Sequence, residues 1–345
     1  MLTRNTPMIA RRYTIEGEIG RGGMGEVYRV LDRLNNRAVA LKRVHFEDDG
    51  TIGASSPEEQ RLALAQEFRT LASLRHPHII SVLDYGFDAG GLPYLTMELL
   101  DDPLNIVLAT YKRPFDLQVT LLLQMLEAIH YLHWRGILHR DLKPDNVLVM
   151  NNLVKVLDFG LAANKTHIAT EGNVDKYMAG TLAYMAPELL TGNAPSIASD
   201  LYAIGIIAFQ MLTTEHPYGD ARHNPSEFVS RLLMESPNFE PLDDFPDIQP
   251  IIERLCSKDP AERYESVTDV VNAINRVTNR TSSVDDIAIR ESFLQSANFV
   301  GRDEELQILN TALDATTKGL GGMWLIGGES GVGKSRLVNE VRIID

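Results

Sequence analysis

His139-Arg140-Asp141-Leu142-Lys143-Pro144-Asp145-Asn146 is the stretch on which the reading of this chain turns. Acidic, basic and amide side chains crowd into one short loop. A helical pattern from Asp116 to Trp134, closed by Gly136, leads into it. A hairpin follows: Val147-Leu148-Val149, a turn at Asn151-Asn152, then Val154-Lys155-Val156-Leu157. That hairpin delivers a further acid in Asp158-Phe159-Gly160, and Gly180-Thr181-Leu182-Ala183-Tyr184-Met185-Ala186-Pro187-Glu188 stands beyond it.

Upstream lies a glycine-rich loop, Ile19-Gly20-Arg21-Gly22-Gly23-Met24-Gly25-Glu26-Val27. A dinucleotide-binding loop carries glycines at the same spacing but runs from a strand into a helix. Here Val27-Tyr28-Arg29-Val30-Leu31 reads as a strand, Arg33 to Arg37 turns the chain, and Ala38-Val39-Ala40-Leu41-Lys42 reads as another. The glycines therefore close a hairpin. Taken alone, the loop is either a plain turn or a cradle in which backbone N–H groups approach phosphate oxygens. Ser56-Pro57-Glu58-Glu59 then has the form of a helix start, and the apolar stripe of that helix runs through Leu64, Leu71 and Leu74. Glu67 falls on this stripe. A carboxylate there is costly unless paired, and Lys42 is the candidate partner; the alternative is that Glu67 snorkels from the stripe's edge.

Taken in order, GxGxxGxV, VALK, HRDLKPDN, DFG and APE make residues 13–277 resemble the protein kinase superfamily. Lys143 within HRDLKPDN, and GTLAYMAPE, are similar to serine/threonine rather than tyrosine kinases. The resemblance implies an α+β, bilobal protein kinase fold, with an antiparallel β N-lobe plus one helix and a mainly α C-lobe. It also implies ATP- and Mg-dependent phosphorylation of protein serine/threonine hydroxyls in signal transduction, with autophosphorylation. On it, Ile19, Gly20, Arg21, Gly22, Gly23, Met24, Gly25, Glu26 and Val27 cover the nucleotide. Ala40 and Lys42 also meet the nucleotide, with Lys42 on the α and β phosphates and oriented by Glu67. Met97 guards the adenine pocket, and the backbone of Glu98 and Leu100 meets the adenine edge. Asn146 and Asp158 bind Mg²⁺, Asp141 accepts the substrate hydroxyl proton, and Lys143 neutralises the transferred phosphate. Asp200 braces the catalytic loop and Arg263 pairs with Glu188. Arg140 before Asp141 suggests activation by phosphorylation of Thr166 or Thr170, which are otherwise ordinary loop residues.

A second motif, Gly328-Glu329-Ser330-Gly331-Val332-Gly333-Lys334-Ser335, fits GxxxxGK[ST]. Met323-Trp324-Leu325-Ile326 before it reads as a strand, and Leu337, Val338 and Val341 after it suit a helix. Backbone amides from Gly328 to Gly333 would cradle phosphates, Lys334 would reach the β and γ oxygens, and Ser335 would bind Mg²⁺. With FVGRDEEL upstream, this segment resembles the start of AAA-like or signal-transducing P-loop ATPase modules. Bacterial multidomain kinases share that arrangement. The expected division is a kinase domain at 13–277, a polar linker at 278–298, and at 299–345 the N-terminal part of a P-loop ATPase domain, a truncated α/β segment.

Composition narrows the function classes. The 345 residues carry 33 Lys plus Arg against 47 Asp plus Glu, a net charge of −14, so a general nucleic-acid binder is disfavoured. The apolar run Leu201 to Leu212 is interrupted by Gln210 and too short to span a bilayer. One cysteine, Cys256, permits no intrachain disulfide, which fits a reducing, cytoplasmic setting. His130, His133 and His139 lack companions at metal-ligand spacing, so His130 and His133 are expected on the surface or edge of their helix. Two alternatives remain: a pseudokinase scaffold, and a regulatory P-loop NTPase with an accessory kinase domain.

Overall fold

A computed structural model describes residues 8–22, 25–44, 68, 71–159, 181–221, 224–280, 303–317, 319–327 and 337. Gly23, Met24, Glu67, Thr166, Thr170, Gly328, Gly333, Lys334 and Ser335 lie outside them, as does most of the helix expected from Ser56, of which residues 68 and 71–73 are described and helical.

The first lobe is an antiparallel sheet built from β1 (Met8–Ile9), β2 (Tyr13–Gly22), β3 (Gly25–Asp32), β4 (Arg37–Val44), β5 (Val82–Phe87) and β6 (Pro93–Met97). Their spatial order is β1-β2-β3-β4-β6-β5. Strand alternation sorts β4 cleanly: Val39 and Leu41 pack with Ile9, Tyr13, Val30 and Tyr94 on one face, while Ala40 joins the main core on the other. Lys42 falls on the face of Ala40. The register sets Val27 opposite Lys42 and Met97 opposite Ala40, so these four side chains share one surface.

The second lobe begins with β7 (Leu104–Asn105), which pairs with the hairpin β8 (Val147–Met150) and β9 (Leu153–Val156). Its helices are α1 (Ile106–Thr110), α2 (Phe115–Trp134), α3 (Pro187–Leu190), α4 (Ile197–Thr213), α5 (Pro225–Met234), α6 (Gln249–Leu255) and α7 (Val267–Thr278). The α4 helix starts four residues before the apolar run. Ser196 caps it, with the Ser196 hydroxyl accepting from the Ser199 amide and the Ser199 hydroxyl accepting from the Ser196 amide. Buried Gln118 donates through Nε2 to the carbonyls of Thr110 and Met211, each at 3.1 Å, and so satisfies chain-end acceptors of α1 and α4 together. Among the described residues no helix is long and apolar enough to cross a membrane.

The α4 and α6 helices touch at Gly205. A Cβ there would lie 2.7 Å from Leu255 Cβ and 2.8 Å from Cys256 Sγ. Alanine gains about 1 kcal/mol of helix propensity, but overpacking a core costs about 1–3 kcal/mol. The clash wins, because a Leu255 Cβ is fixed by its backbone. Gly205→Ala is expected to lower the midpoint of urea unfolding; an unchanged or raised midpoint would show that the two helices separate freely. Cys256, at the end of α6, is buried and its thiol pKa is pushed up by that burial, which leaves it packed rather than reactive.

Downstream of the lobes lies α8 (Asp303–Thr317). Residues 321–327 are not a strand, contrary to the sequence expectation for 323–326, and Met323 and Leu325 stand in the open. The physical reason is the missing neighbour: an apolar run forms a strand only against a second one, and none pairs with it among the described residues.

Candidate active site

Each chemically active side chain is delivered by an element boundary. Lys42 is the inward residue of β4 near its end, and it stays buried, with a side chain 5% exposed. Asp158 follows β9, and its carboxylate Oδ1 lies 2.7 Å from Lys42 Nζ. An ammonium buried this far requires a partner, and Asp158 supplies it from the other lobe. The contact joins two residues separated by more than a hundred positions in sequence. Glu67, the expected partner of Lys42, falls outside the described residues.

The loop 139–146 is wired to itself. Asp141 is buried, and its Oδ2 accepts from Lys143 Nζ at 2.9 Å and from Asn146 Nδ2 at 3.1 Å. Asn146 Nδ2 also donates to the Asp141 carbonyl at 2.8 Å, which turns its Oδ1 the other way. Lys143 Nζ donates in addition to Thr181 Oγ1 at 3.1 Å. Both donors to the carboxylate thus fall on one oxygen, Oδ2.

Two residues of the site are strained, and a single acid holds the backbone at the first of them. Arg140 and Asp158 have φ of +67° and +58°, left-handed conformations that cost a side-chain-bearing residue on the order of 1 kcal/mol each. Asp200, in the first turn of α4, accepts the amides of His139 at 2.9 Å and Arg140 at 3.0 Å. His133 Nε2 meets the same carboxylate at 2.8 Å. The sequence expectation of a surface or edge position for His133 is therefore corrected: its side chain is 7% exposed and turned inward to Asp200. His139 is wholly buried, donates through Nε2 to the Leu157 carbonyl at 3.0 Å, and has its pKa lowered by burial, so the ring stays neutral.

Residues that the resemblance assigns to the nucleotide lie on neighbouring strands of the sheet. Val27, Ala40 and Met97 share the surface already described, and Ile19 and Gly20 lie on β2, with Gly20 opposite Val27. Arg21 is tied to Glu18 at 2.9 Å and to Glu26 at 3.2 Å, which clips the turn end of the β2–β3 hairpin next to Gly22 and Gly25. Leu100 is half-buried against the core. Glu98 is fixed twice to Ser81: its amide donates to the Ser81 carbonyl at 3.0 Å and its Oε1 accepts from the Ser81 amide at 2.9 Å.

Lys155 on β9 completes this joint, with Nζ 2.8 Å from Glu98 Oε1. Sequence reasoning passed over Lys155; the available signal was a lone charge alternating with Val154 and Val156 in a strand. It also passed over His216, whose Nε2 lies 2.8 Å from the Ala183 carbonyl. No signal in the sequence joins these two residues.

Comparison with known proteins follows the same lines. The protein kinase domain family matches residues 13–274, and the AAA ATPase domain family matches residues 298–344. The chain is similar to the serine/threonine-protein kinase PknA of Mycobacterium tuberculosis, being 34% identical over 279 residues that make up 78% of this chain and 62% of PknA. It is 34% identical over 287 residues to a probable serine/threonine-protein kinase PknB of Lactococcus lactis, covering 80% of this chain and 43% of that protein. For the serine/threonine-protein kinase PknD of Chlamydia felis the values are 33% over 298 residues, 77% and 31%. The chain thus spans less than two thirds of the length of these curated relatives. A lysine and an aspartate meeting across two lobes, a self-wired loop braced by a buried acid, and a family match over most of the sequence agree: the chain belongs to the protein kinase family.

Proposed function

We propose that this chain transfers the γ-phosphate of ATP to serine or threonine hydroxyls of protein substrates, its own included, in signal transduction. The observation that carries this reading is the meeting of Lys42 with Asp158 beside the Asp141–Lys143–Asn146 cluster. Triphosphate chemistry needs positive charge on the phosphates, oxygen ligands for a cation, and one carboxylate free for a proton. On this reading Lys42 supplies the first, Asp158 and Asn146 the second, and Asp141 the third. Family membership implies ATP and a divalent metal. The donor set fits Mg²⁺: the carboxylate of Asp158 and the outward Oδ1 of Asn146 are hard oxygens of the kind it prefers. When bound, that ion neutralises charge on the phosphate oxygens.

The residues of the chain then divide the work. The hairpin of Ile19 to Val27 covers the nucleotide, with Val27, Ala40 and Met97 against the base. Because the Glu98 amide is engaged by Ser81, the Glu98 carbonyl is the group offered to the adenine edge, with the Leu100 backbone beyond it. Lys42 takes the α and β phosphates once the nucleotide separates it from Asp158. Asp141 Oδ1 accepts the hydroxyl proton as the substrate oxygen attacks the γ-phosphorus and the bond to ADP breaks. Lys143, already within reach of Asp141 and Thr181, holds the transferring group.

A transfer assay with labelled ATP and Mg²⁺ tests the reading. Phosphate on the chain itself or on a serine-containing peptide supports it, and binding of ATP without transfer would instead identify a scaffold. Lys334 belongs to the segment matched by the other family, whose expected roles for Gly328, Gly333, Lys334 and Ser335 concern a second nucleotide. Lys334→Ala is accordingly expected to leave phosphotransfer unchanged; a loss would reveal coupling between the two sites.

A further inference from the structure

Between the reacting groups and α3 the chain runs through Thr181-Leu182-Ala183-Tyr184-Met185-Ala186. Its first residue touches the catalytic cluster, since Lys143 Nζ donates to both Asp141 Oδ2 and Thr181 Oγ1. A peptide that brings a hydroxyl to Asp141 must therefore lie across this segment. Thr181 and Leu182 are helical, but past them the segment has no ladder and no helix until α3. Single turns hold it, from the Tyr184 amide to the Thr181 carbonyl and from the Met185 amide to the Leu182 carbonyl, each at 3.2 Å. Backbone of this kind takes its position from the side chains attached to it.

Two attachments are plain. Tyr184 donates its hydroxyl to Gln210 Oε1 at 2.7 Å, and beyond the segment Arg263 grips Glu188. The third is His216, which follows the left-handed residue Thr214 at the end of α4. A carbonyl can only accept, so the contact at 2.8 Å from Nε2 to the Ala183 oxygen places the ring proton on Nε2. Nδ1 is then an acceptor, and it receives the Tyr218 amide at 3.2 Å. One tautomer satisfies both nitrogens. The ring is wedged among Tyr184, Tyr218 and Phe228, with Phe228 at 5.2 Å between centroids. Burial lowers the pKa of His216 to about 4, so this neutral form persists at neutral pH. The transfer chemistry itself gives His216 nothing to do.

We propose that His216 is a positioning residue for the phosphate acceptor: by donating to the Ala183 carbonyl it fixes the platform Thr181–Ala186, and through it the approach of a seryl or threonyl hydroxyl to Asp141. The inference rests on the kinase reading above. It predicts a specific split, because the nucleotide-facing residues Lys42, Met97 and Asp158 lie on other elements. Losing the donor weakens acceptor binding and spares ATP.

The test uses the full chain with Mg²⁺, ATP and a serine-containing peptide that the wild type selects from a degenerate library. His216→Leu removes the donor; His216→Gln keeps an N–H that reaches the same carbonyl. The leucine variant is expected to raise KM for the peptide about tenfold, the size of one net hydrogen bond, with KM for ATP unmoved. The glutamine variant is expected to recover most of the loss. Equal peptide KM values, a parallel rise in both KM values, or a glutamine variant no better than leucine would each overturn the role of His216. Should the leucine variant fail to fold, His216→Phe replaces it, retaining the ring and losing the donor. A wild type that phosphorylates no peptide would overturn the kinase reading and this inference together, whereas an active wild type beside an unaffected variant overturns the inference alone.

Discussion

Asp141→Asn is expected to reduce the rate of phosphate transfer by about a thousandfold or more, within the range a general base contributes, while the fold and nucleotide binding persist. The reason lies in which oxygen is occupied. Lys143 and Asn146 both donate to Asp141 Oδ2. An asparagine in this position must turn its one oxygen toward those two donors, because its NH₂ would face them donor to donor. The NH₂ then occupies the place of Oδ1. A proton acceptor becomes a proton donor at the point where the substrate hydroxyl arrives. Lys42 and Asp158 are not touched, so binding of a fluorescent ATP analogue and the melting temperature should match the wild type. Turnover within tenfold of the wild type, with folding and nucleotide binding intact, would remove Asp141 from the chemistry.

The largest effect on stability is expected at Arg263. Its side chain is fully enclosed, and it pairs through both Nη atoms with Glu188 at 2.7 and 2.8 Å. It also donates to the carbonyls of Ser257 at 2.8 Å, Ala198 at 2.7 Å and Lys258 at 3.2 Å, and lies 4.9 Å from the centre of the Tyr202 ring. Alanine here leaves a buried carboxylate without its counter-ion and removes a donor from three carbonyls. Breaking such a pair costs about 3–5 kcal/mol, which for a domain of this size lowers the melting temperature by on the order of 10 °C. Lysine offers one point of charge in place of a planar fork and should rescue little. Replacing both partners, as Arg263→Met with Glu188→Leu, should recover part of the loss, since no buried charge then remains unpaired. A single alanine variant that melts within a couple of degrees of the wild type, about the spread of a surface change, would contradict this account.

What the sequence made legible divides along a physical line. Lys42, Asp141, Asn146 and Asp158 were legible through the ordered motifs that carry the kinase resemblance, and strand alternation adds the direction in which Lys42 points. Val39 and Leu41 facing one way require Ala40 and Lys42 to face the other, and the structure has that arrangement. The first turn of α4, ahead of the apolar run, has no such signal, because its cap, Ser196 with Ser199, is polar and carries no apolar period. His133 was misplaced for a different reason. Helical periodicity ranks a histidine by its neighbours on the same helix, whereas its partner, Asp200, is 67 residues away. Lys155 with Glu98, and His216 with Ala183, are likewise contacts between distant segments, for which local pattern has no signal. Residues 323–326 show the converse: strand-forming composition is fulfilled only where a second strand is at hand.

Gln118 carries a mechanical implication. A single amide meets the ends of both the short helix α1 and the long helix that bears Asp200. Sliding either rod along its axis would break its own bond to Gln118, so this one side chain couples the ends of the two helices.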